Sequence, residues 1–264
     1  MIKRLKSLFL PNFTDLPSEG LPDNNRVYAI GDIHGRYDLL QVVHRKILQH
    51  SKDYKGQITV VYLGDYVDRG PQSRQVVECL LSNPLPEFNT VYLLGNHEEI
   101  LLQFLEGAPL AVAQDWLAYG GLSTLLSYGV SIKGIPTIKD LPSLRADFIE
   151  KCPPLHRQFY RNLLLSFELG GYFFVHAGIK PKLPLNKQCN NDLLWIRDEF
   201  LKSQKRFEKV IVHGHSVTEV PEIKPNQIGL DTGAFSTGRL TCAIFDGLAI
   251  DVQSVSANVS DLTQ

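Results

Sequence analysis

The chain has 264 residues, of which 44% are hydrophobic and 21% charged, a composition typical of a globular protein with a substantial core. Its formal net charge of −1 excludes a global basic field for nucleic acid, and no run approaches the roughly 18 apolar residues of a membrane span. The four cysteines are scattered without a CxxC pair, which predicts reduced thiols in a cytoplasmic protein.

Strands and helices alternate in the first half of the chain. β-Branched and aromatic runs predict three strands, and apolar residues at helical spacing predict a helix after each one. The predicted strands cover 26–31, 58–63 and 90–94, and the helices cover 37–49 and begin near 71 and 97. This order predicts right-handed βαβ units and a largely parallel sheet, in which ligands bind beyond the carboxyl ends of the strands.

The remainder of the chain divides into a helical part and a β-rich part. Residues 107–164 contain Trp116, a Gly120–Gly121 break and short amphipathic segments, which predict a helical insertion or cap and not a separate domain. The later strands are predicted at 165–169, 171–176, 210–213, 228–231, 240–245 and 248–252. The predicted organisation is an N-terminal extension, one domain and a C-terminal tail, at 1–25, 26–253 and 254–264.

Five short motifs follow predicted strands and carry residues that commonly bind metals. They are GDIHG at 31–35, GDYVDRG at 64–70, GNHE at 95–98, VHAG at 175–178 and HGHS at 213–216. Their candidate ligands are Asp32, His34, Asp65, Asn96, His176 and His215. One such motif alone would be explained by a turn or a buried core histidine, but five in order favour metal binding. Oxygen and imidazole donors without thiolate suit Mn, Fe, Zn or Co, and two ions sharing one carboxylate form a site for phosphate ester hydrolysis.

With these motifs the chain resembles the calcineurin-like metallophosphoesterase superfamily over about residues 26–252. GDYVDRG in particular resembles the phosphoprotein phosphatase branch, in the bacterial and phage form that includes lambda phosphatase. The resemblance implies an α/β fold, a sandwich of two mixed β-sheets flanked by helices. Residues 26–253 would be the metallophosphoesterase domain and 107–164 its helical insertion.

The resemblance also implies two divalent metal ions, with manganese favoured and iron or zinc as alternatives. The ligands of one ion would be Asp32, His34 and Asp65. The ligands of the other would be Asp65, Asn96, His176 and His215, so that Asp65 bridges the ions. A hydroxide that also bridges the ions, with its pKa lowered by both cations, would attack phosphorus directly without a phosphoenzyme.

Four further residues match catalytic and phosphate-binding positions of the resembled family. His97 matches the general acid, and Asp68 matches the carboxylate that orients its imidazole and favours the protonated form. Arg69 and Arg197 match phosphate-binding arginines, whose planar guanidinium pairs with two phosphate oxygens. The alternatives are that Asp68 only caps a turn and that Arg197 forms an ion pair with the acidic residues that follow it.

Two residues beside the ligands are expected to support the site and not to bind metal. His213 precedes the matched Gly214 and is expected to pack or to support a ligand. Glu98 follows His97 and is expected to place charge at a helix N-terminus or to support the ligands.

Three positions depart from relatives in the superfamily. Leu94 stands where the eukaryotic serine/threonine phosphatases have an arginine before GNHE, and DTGAFSTG at 231–238 replaces their SAPNY-like loop. These differences argue against eukaryote-style toxin sensitivity and docking of regulatory subunits. Val217 replaces the second histidine of GHxH, which argues against a nuclease or a cyclic-nucleotide phosphodiesterase.

The leading hypothesis is a phosphoprotein phosphatase that hydrolyses phosphomonoesters, acting as a monomer on a phosphorylated protein or peptide. Phosphoserine, phosphothreonine and phosphotyrosine stay open, because a pocket rim drawn from 107–164 and 232–238 would read the side chain. The alternative is a symmetrical diadenosine tetraphosphate hydrolase, which shares the core motifs but typically lacks the aspartate that is Asp68 here. A third hypothesis, a non-catalytic metal-stabilised scaffold, predicts a lost ligand, and none is missing from the motifs.

Overall fold

One five-stranded sheet combines the first three strands of the chain with the last two. In this computed structural model, which describes residues 19–256, its strands are β1 (Asn25–Ile30), β2 (Gln57–Tyr62), β3 (Asn89–Tyr92), β9 (Arg239–Asp246) and β10 (Ala249–Ser256). They lie in the order β10-β9-β1-β2-β3, with β1, β2 and β3 parallel and β9 and β10 antiparallel to their neighbours. The predicted parallel sheet is confirmed for the strands that precede the first three motifs.

The second sheet has five strands from the β-rich part of the chain. They are β4 (Ser166–Leu169), β5 (Tyr172–Val175), β6 (Val210–His213), β7 (Glu222–Ile223) and β8 (Gln227–Gly229), in the order β4-β5-β6-β8-β7. Strands β5, β6 and β8 are parallel, whereas β4 and β7 are antiparallel and lie at the edges. Both sheets are thus mixed, as the resemblance implied, but the short strand β7 was not predicted.

Helices follow the strands of the first sheet and form most of the insertion. Those after the first three strands are α1 (Tyr37–Ser51), α2 (Ser73–Leu81) and α3 (Asn96–Leu105), close to the predicted segments. The insertion contains α4 (Leu110–Trp116), a kink at Leu117–Gly121, α5 (Leu122–Ser127), α6 (Leu141–Lys151) and α7 (Pro154–Arg161). The later short helices are α8 (Asn190–Trp195), α9 (Asp198–Leu201) and α10 (Ala234–Thr237), with a 3₁₀ turn at Leu185–Lys187. Among residues 19–256, no helix has the length and apolar character needed to cross a membrane.

The apolar residues of strand β1 pack into two hydrophobic cores, one on each face of the first sheet. Val27 and Ala29 face the second sheet, where they join Phe174 in the layer between the sheets. Tyr28 and Ile30 face the helices on the other side. Because both faces of this central strand are buried, its sequence is a nearly continuous apolar run and does not alternate.

The insertion shares a core with the outer face of the first sheet. Trp116 is fully buried, with its ring 4.6 Å from that of Phe104 on α3 and 6.2 Å from that of Phe148 on α6. These rings belong to the same apolar cluster as the side chains of β1 that face the helices. The insertion is therefore packed against the helix that begins at the GNHE motif.

Two predicted segments fall mostly outside the described residues, namely the N-terminal extension (1–25) and the C-terminal tail (254–264). Of these segments the structure describes 19–25 and 254–256. Strand β10 continues to Ser256, past the residue at which the tail was expected to begin. The four cysteines form no disulfide in the structure, and their reduced state stays a prediction.

Candidate metal centre

Several residues of the motif loops have a left-handed backbone conformation, with positive φ, that residues other than glycine rarely adopt. Within 19–256, seven residues other than glycine have positive φ. Five of them lie in the motifs, with φ between 45° and 70°. These five are His34, Asp65, Asp68, Arg69 and His215. Because such conformations cost on the order of 1–3 kcal/mol each, surrounding contacts must hold these side chains in place.

Two histidines are fixed with one ring nitrogen facing the site. Nδ1 of His34 donates a hydrogen bond to the Val67 carbonyl at 2.8 Å, and Nδ1 of His176 donates to the Leu63 carbonyl at 2.8 Å. Because a carbonyl only accepts, each Nδ1 carries the proton and each Nε2 keeps its lone pair. Metal-binding histidines are commonly oriented in this way by a carbonyl on the second ring nitrogen.

The atoms that face the centre oppose one another as acceptors. Nε2 of His34 lies 3.3 Å from Oδ2 of Asp65, and Nε2 of His176 lies 2.9 Å from Oδ1 of Asn96. Nδ1 of His215 is 2.8 Å from the same Asn96 oxygen, a contact that is a hydrogen bond in the tautomer with the proton on Nδ1. In the His34 and His176 contacts, lone pairs face each other and repel unless a cation lies between them. The donor set therefore fits metal ions, and its lack of thiolate agrees with a hard or borderline divalent ion.

Two groups of ligand atoms share Asp65. His34, Asp65 and His97 form one group, and Asp65, His176 and His215 form the other, each with its ligand atoms within 4.8 Å of one another. Oδ2 of the shared carboxylate faces His34 at 3.3 Å, whereas Oδ1 faces His176 at 3.5 Å. A carboxylate with one oxygen in each group can bridge two ions, which is the arrangement of a two-metal site.

Asp32 lies beside these groups but is a member of neither. Its carboxylate accepts a hydrogen bond from the backbone N–H of His215 at 3.0 Å, and it is 2% exposed. Burial and the neighbouring carboxylates of Asp231 and Asp65 raise the pKa of Asp32 well above its usual value. A cation would offset this repulsion. The ligand role of Asp32 stays a prediction that metal titration can test.

Glu98 supports the loop that carries Asp65. One oxygen of its carboxylate accepts the backbone N–H groups of Asp65 and Gly95, at 2.9 and 3.2 Å. The other oxygen accepts those of Tyr66 and Val67, at 2.8 and 3.1 Å. Because the side chain is fully buried, these bonds replace the water that a carboxylate otherwise requires. Glu98 thus joins the second and third motif loops, which is a supporting role.

His97, a member of the first group of ligand atoms, forms a buried pair with Asp68. Nδ1 of His97 lies 2.6 Å from Oδ2 of Asp68, and its Nε2 lies 4.0 Å from Oδ2 of Asp65. Burial lowers the pKa of His97, but the carboxylates of Asp65 and Asp68 outweigh burial and raise the pKa above its usual value. The protonated ring carries a proton on Nε2, on the side of the metal groups, which is the arrangement of a general acid.

Two residues from the insertion also bind the Asp68 carboxylate. Nε1 of Trp116 donates to Oδ2 at 2.9 Å, and Oγ1 of Thr124 donates to Oδ1 at 2.6 Å. Neither contact was predicted, because the donors lie 48 and 56 residues from Asp68 in the chain. The available signal was Thr124 itself, a hydroxyl at a buried helical position among apolar residues, which indicates a buried polar partner.

Arg69 lies across the first group of ligand atoms. Its Nη1 donates to Nε2 of His34 at 3.0 Å, and its guanidinium lies over the Phe235 ring, 4.7 Å from the ring centroid. The Phe235 ring is also 5.3 Å from the ring of His34. Phe235 was not predicted as a site residue, although its loop was expected at the pocket rim.

Arg197 approaches the second group from an exposed position. Its Nη1 donates to the carbonyl oxygen of His215 at 3.3 Å and lies 3.4 Å from Oγ of Ser216. The adjacent Asp198 forms an ion pair with Lys202 at 2.7 Å. The guanidinium of Arg197 is therefore directed toward the histidine loop, where a phosphate-binding role remains a prediction.

His213 lies behind the ligand loop and belongs to neither group of ligand atoms. Its ring is 5.1 Å from that of Phe200, and its Nδ1 donates to the Gly214 carbonyl at 3.0 Å. Burial lowers the pKa of His213 to about 4. These contacts are those of a packed, neutral histidine.

The fold and the shared-carboxylate groups agree with a family match. A model of the calcineurin-like phosphoesterase family matches residues 25–250, and the chain therefore belongs to that family. The family consists of phosphohydrolases that use divalent metals, and the grouped histidines and aspartates of this chain provide ligands for such ions.

Individual relatives differ in the substrates that their names specify. The asymmetrical bis(5'-nucleosyl)-tetraphosphatase PrpE of Bacillus mycoides (strain KBAB4) is 26% identical over 235 residues, covering 80% of this chain and 87% of that protein. A solved structure provisionally described as a diadenosine tetraphosphatase has a TM-score of 0.58 and 24% identity, covering 90% of this chain and 97% of its own. A cold-active protein tyrosine phosphatase has a TM-score of 0.56 and 16% identity, covering 88% and 81%. The two structures share the fold with this chain and leave its substrate open.

Proposed function

We propose that this protein is a metal-dependent phosphoprotein phosphatase that hydrolyses phosphomonoesters of protein side chains. The observation that carries the proposal is the buried His97–Asp68 pair, in which His97 belongs to the first of two groups of ligand atoms that share Asp65. The pair places a proton donor, Nε2 of His97, 4.0 Å from Oδ2 of the shared Asp65 carboxylate.

A proton donor matters most when the leaving oxygen is a strong base. The alkoxide of serine or threonine is comparable in basicity to hydroxide, whose conjugate acid has a pKa of about 15.7, so protonation assists its departure. A phosphate leaving group, with a second pKa of about 6, departs from a polyphosphate with little such assistance. A general acid oriented by its own carboxylate therefore favours a phosphomonoester with an alcohol leaving group.

The site residues have distinct proposed tasks. Two bound divalent ions, manganese being the preferred candidate and iron or zinc the alternatives, would supply an activated water nucleophile and neutralise phosphate charge. Their proposed ligands are Asp32, His34, Asp65, Asn96, His176 and His215. Arg69 and Arg197 would bind phosphate oxygens through paired N–H donors. His97 would donate its Nε2 proton to the leaving oxygen while Asp68 keeps the ring oriented.

Hydrolysis of dinucleoside tetraphosphates is a second candidate, which the name of the Bacillus relative favours. That name specifies asymmetrical cleavage, whereas the sequence-based alternative was a symmetrical hydrolase. The phosphoprotein assignment is preferred because the buried acid pair is complete, with an Asp68–His97 separation of 2.6 Å.

The test is an activity panel on chelator-stripped protein reloaded separately with Mn, Zn, Fe, Co or Mg. Each metal form is assayed with phosphoserine, phosphothreonine and phosphotyrosine peptides and with diadenosine tetraphosphate. We expect manganese to restore the highest activity, with the largest kcat/KM for a phosphopeptide. His97→Asn serves as the matched control, because it should slow peptide hydrolysis far more than cleavage of the dinucleotide.

The opposite ranking would reject the phosphatase assignment. If kcat/KM for diadenosine tetraphosphate exceeds that for every peptide, the second candidate replaces the first. The nucleotide products then separate symmetrical cleavage, which releases two molecules of ADP, from asymmetrical cleavage, which releases ATP and AMP.

A further inference from the structure

The Asp68 carboxylate has three side-chain partners, and two of them come from the helical insertion. Besides His97, Nε1 of Trp116 donates to Oδ2 at 2.9 Å and Oγ1 of Thr124 donates to Oδ1 at 2.6 Å. The Thr124 hydroxyl oxygen also accepts the backbone N–H of Asp68 at 2.9 Å. All four residues are buried, so water does not compete for these bonds. A carboxylate with donors on both oxygens cannot rotate freely.

Gly120 and Gly121 allow the insertion to approach the GDYVDRG loop closely enough for these hydrogen bonds. A Cβ at Gly121 would overlap the Trp116 indole. Gly120 has a φ of 115°, which other residues rarely adopt, and its carbonyl accepts the backbone N–H of Arg69 at 3.2 Å. The kink at Leu117–Gly121 therefore joins the insertion to the GDYVDRG loop at both the indole and the backbone.

We propose that Trp116 and Thr124 are positioning residues for the general acid, so that the insertion is part of the catalytic apparatus. The inference rests on the proposed role of His97. With one oxygen bound to Thr124 and the other shared by Trp116 and His97, the carboxylate plane is fixed and the imidazole keeps Nε2 toward the leaving group. When the leaving oxygen takes the Nε2 proton, the ring becomes neutral and its Nδ1 proton stays hydrogen-bonded to Asp68.

Packing alone is the competing explanation, because the Trp116 ring also contacts Phe104 and Phe148. The two explanations differ in how the rate depends on the leaving group. A misoriented acid slows the esters whose leaving oxygen is strongly basic and spares those whose leaving oxygen is weakly basic. A disturbed core slows all esters alike.

The experiment compares variants that remove one hydrogen bond with a variant that only disturbs packing. Trp116→Phe removes the N–H and keeps an aromatic ring, and Thr124→Val removes the hydroxyl at nearly constant shape. Thr124→Ser restores the hydroxyl, and Phe148→Leu opens the same core without touching Asp68. Each protein, loaded with manganese, is assayed with 4-nitrophenyl, phenyl and methyl phosphate, and its thermal unfolding is recorded.

We expect Trp116→Phe and Thr124→Val to lower kcat for phenyl and methyl phosphate by about tenfold, a part of the 10²–10⁴-fold that a general acid contributes. Hydrolysis of 4-nitrophenyl phosphate should change by less than about twofold, because its leaving group needs little protonation. KM should stay near the wild-type value in both variants. Phe148→Leu should keep the wild-type ratio of rates even if its melting temperature falls, and Thr124→Ser should rescue the Val variant.

Equal losses for all three esters in Trp116→Phe and Thr124→Val would overturn the inference. His97→Asn separates this failure from a failure of the proposed function. If His97→Asn itself shows no dependence on the leaving group, the general-acid assignment is wrong. If the dependence appears in His97→Asn but in neither insertion variant, only the positioning role is rejected. Should Trp116→Phe not fold, the Val and Ser variants of Thr124 decide the question.

Discussion

The first and second sheets contribute to the centre in different ways. Loops of the first sheet carry the shared carboxylate of Asp65 and the acid pair, and Glu98 binds four of their backbone N–H groups. Loops of the second sheet carry His176 and His215. Both rings contact Oδ1 of Asn96, which belongs to a loop of the first sheet. Under the proposed function, metal binding, proton donation and loop conformation therefore depend on one another around the first sheet. The loops of the second sheet would mainly supply ligands. We therefore expect substitutions in these loops to change fewer properties at once.

The largest difference between the two sides is expected for metal binding. Asp65→Asn removes the carboxylate common to both groups, so both ions should be lost and kcat should fall about 10³-fold or more. His176→Asn removes a ligand of one group and should leave the other ion bound. Bound metal is measured by elemental analysis after dialysis and by calorimetric titration with manganese. Equal metal loss in the two variants would show that the sides are not distinct.

The second comparison concerns stability. It contrasts two adjacent glutamates, Glu98 in contact with the loops of the first sheet and Glu99 in contact with Trp195. Glu98→Gln replaces an acceptor of four backbone N–H groups and should lower the free energy of unfolding by about 3 kcal/mol. Glu99→Gln is the matched control, because Glu99 accepts only the Trp195 Nε1–H, at 2.6 Å on the side of the second sheet. We expect the control to lose less than about 1 kcal/mol. Urea unfolding of both metal-free variants measures the difference, and similar stabilities would contradict it.

Helix α1, which packs on the first sheet, carries a titratable group away from the centre. His44 on α1 lies 2.8 Å from the Tyr62 hydroxyl, and burial lowers its pKa from 6.5 to about 4. Between these pH values the unfolded chain binds a proton that the folded chain does not. The contribution of His44 to stability is thus fully present above pH 6.5 and is lost as the pH falls toward 4, on the order of 3 kcal/mol.

This pH dependence can be isolated with one substitution. His44→Gln cannot titrate, so its free energy of unfolding should fall less steeply than that of the wild type between pH 6.5 and 4. Urea unfolding across this range measures the two slopes. Parallel slopes would exclude a contribution from His44.

The smallest expected effect concerns phosphate binding by Arg69, which has an aromatic contact that Arg197 lacks within the described residues. Arg69 is stacked on Phe235, whereas Arg197 is held by two long contacts of 3.3 and 3.4 Å. Phe235→Leu should raise KM and the inhibition constant of inorganic phosphate by about two- to fivefold, which corresponds to a cation–π contact of about 0.5–1 kcal/mol. Phe235→Tyr should keep wild-type values, since it retains the aromatic face. Unchanged phosphate inhibition in Phe235→Leu would show that the ring does not hold Arg69.

The strand ends illustrate why so much of the centre was accessible from local patterns. The strands before GDIHG, GDYVDRG and GNHE were predicted within a few residues of β1, β2 and β3. Because parallel strands of βαβ units end at one edge of the sheet, residues that follow them meet without any knowledge of the remaining fold. The gathering of Asp65, Asn96 and His34 follows from this rule.

The insertion illustrates the opposite case. Its helical character was predicted, but Trp116 and Thr124 reach Asp68 from 48 and 56 residues away. The kink that brings them there depends on Gly120 and Gly121, whose roles appear only when Arg69 and the indole are in place. No periodicity within the insertion indicates which distant carboxylate it contacts.

The family resemblance implied the sandwich of two sheets. By itself the sequence determined the α/β class with a parallel sheet, the five motifs and the residue types that gather at the strand ends. These properties depend on local burial patterns and on chain order, both of which can be read within short windows. The tertiary structure alone decided which acceptor atoms oppose one another, which oxygens of Asp68 and Glu98 are occupied, and which aromatic ring lies against Arg69. Those features depend on the side-chain packing of segments far apart in the chain, and distances of a few tenths of an ångström decide them.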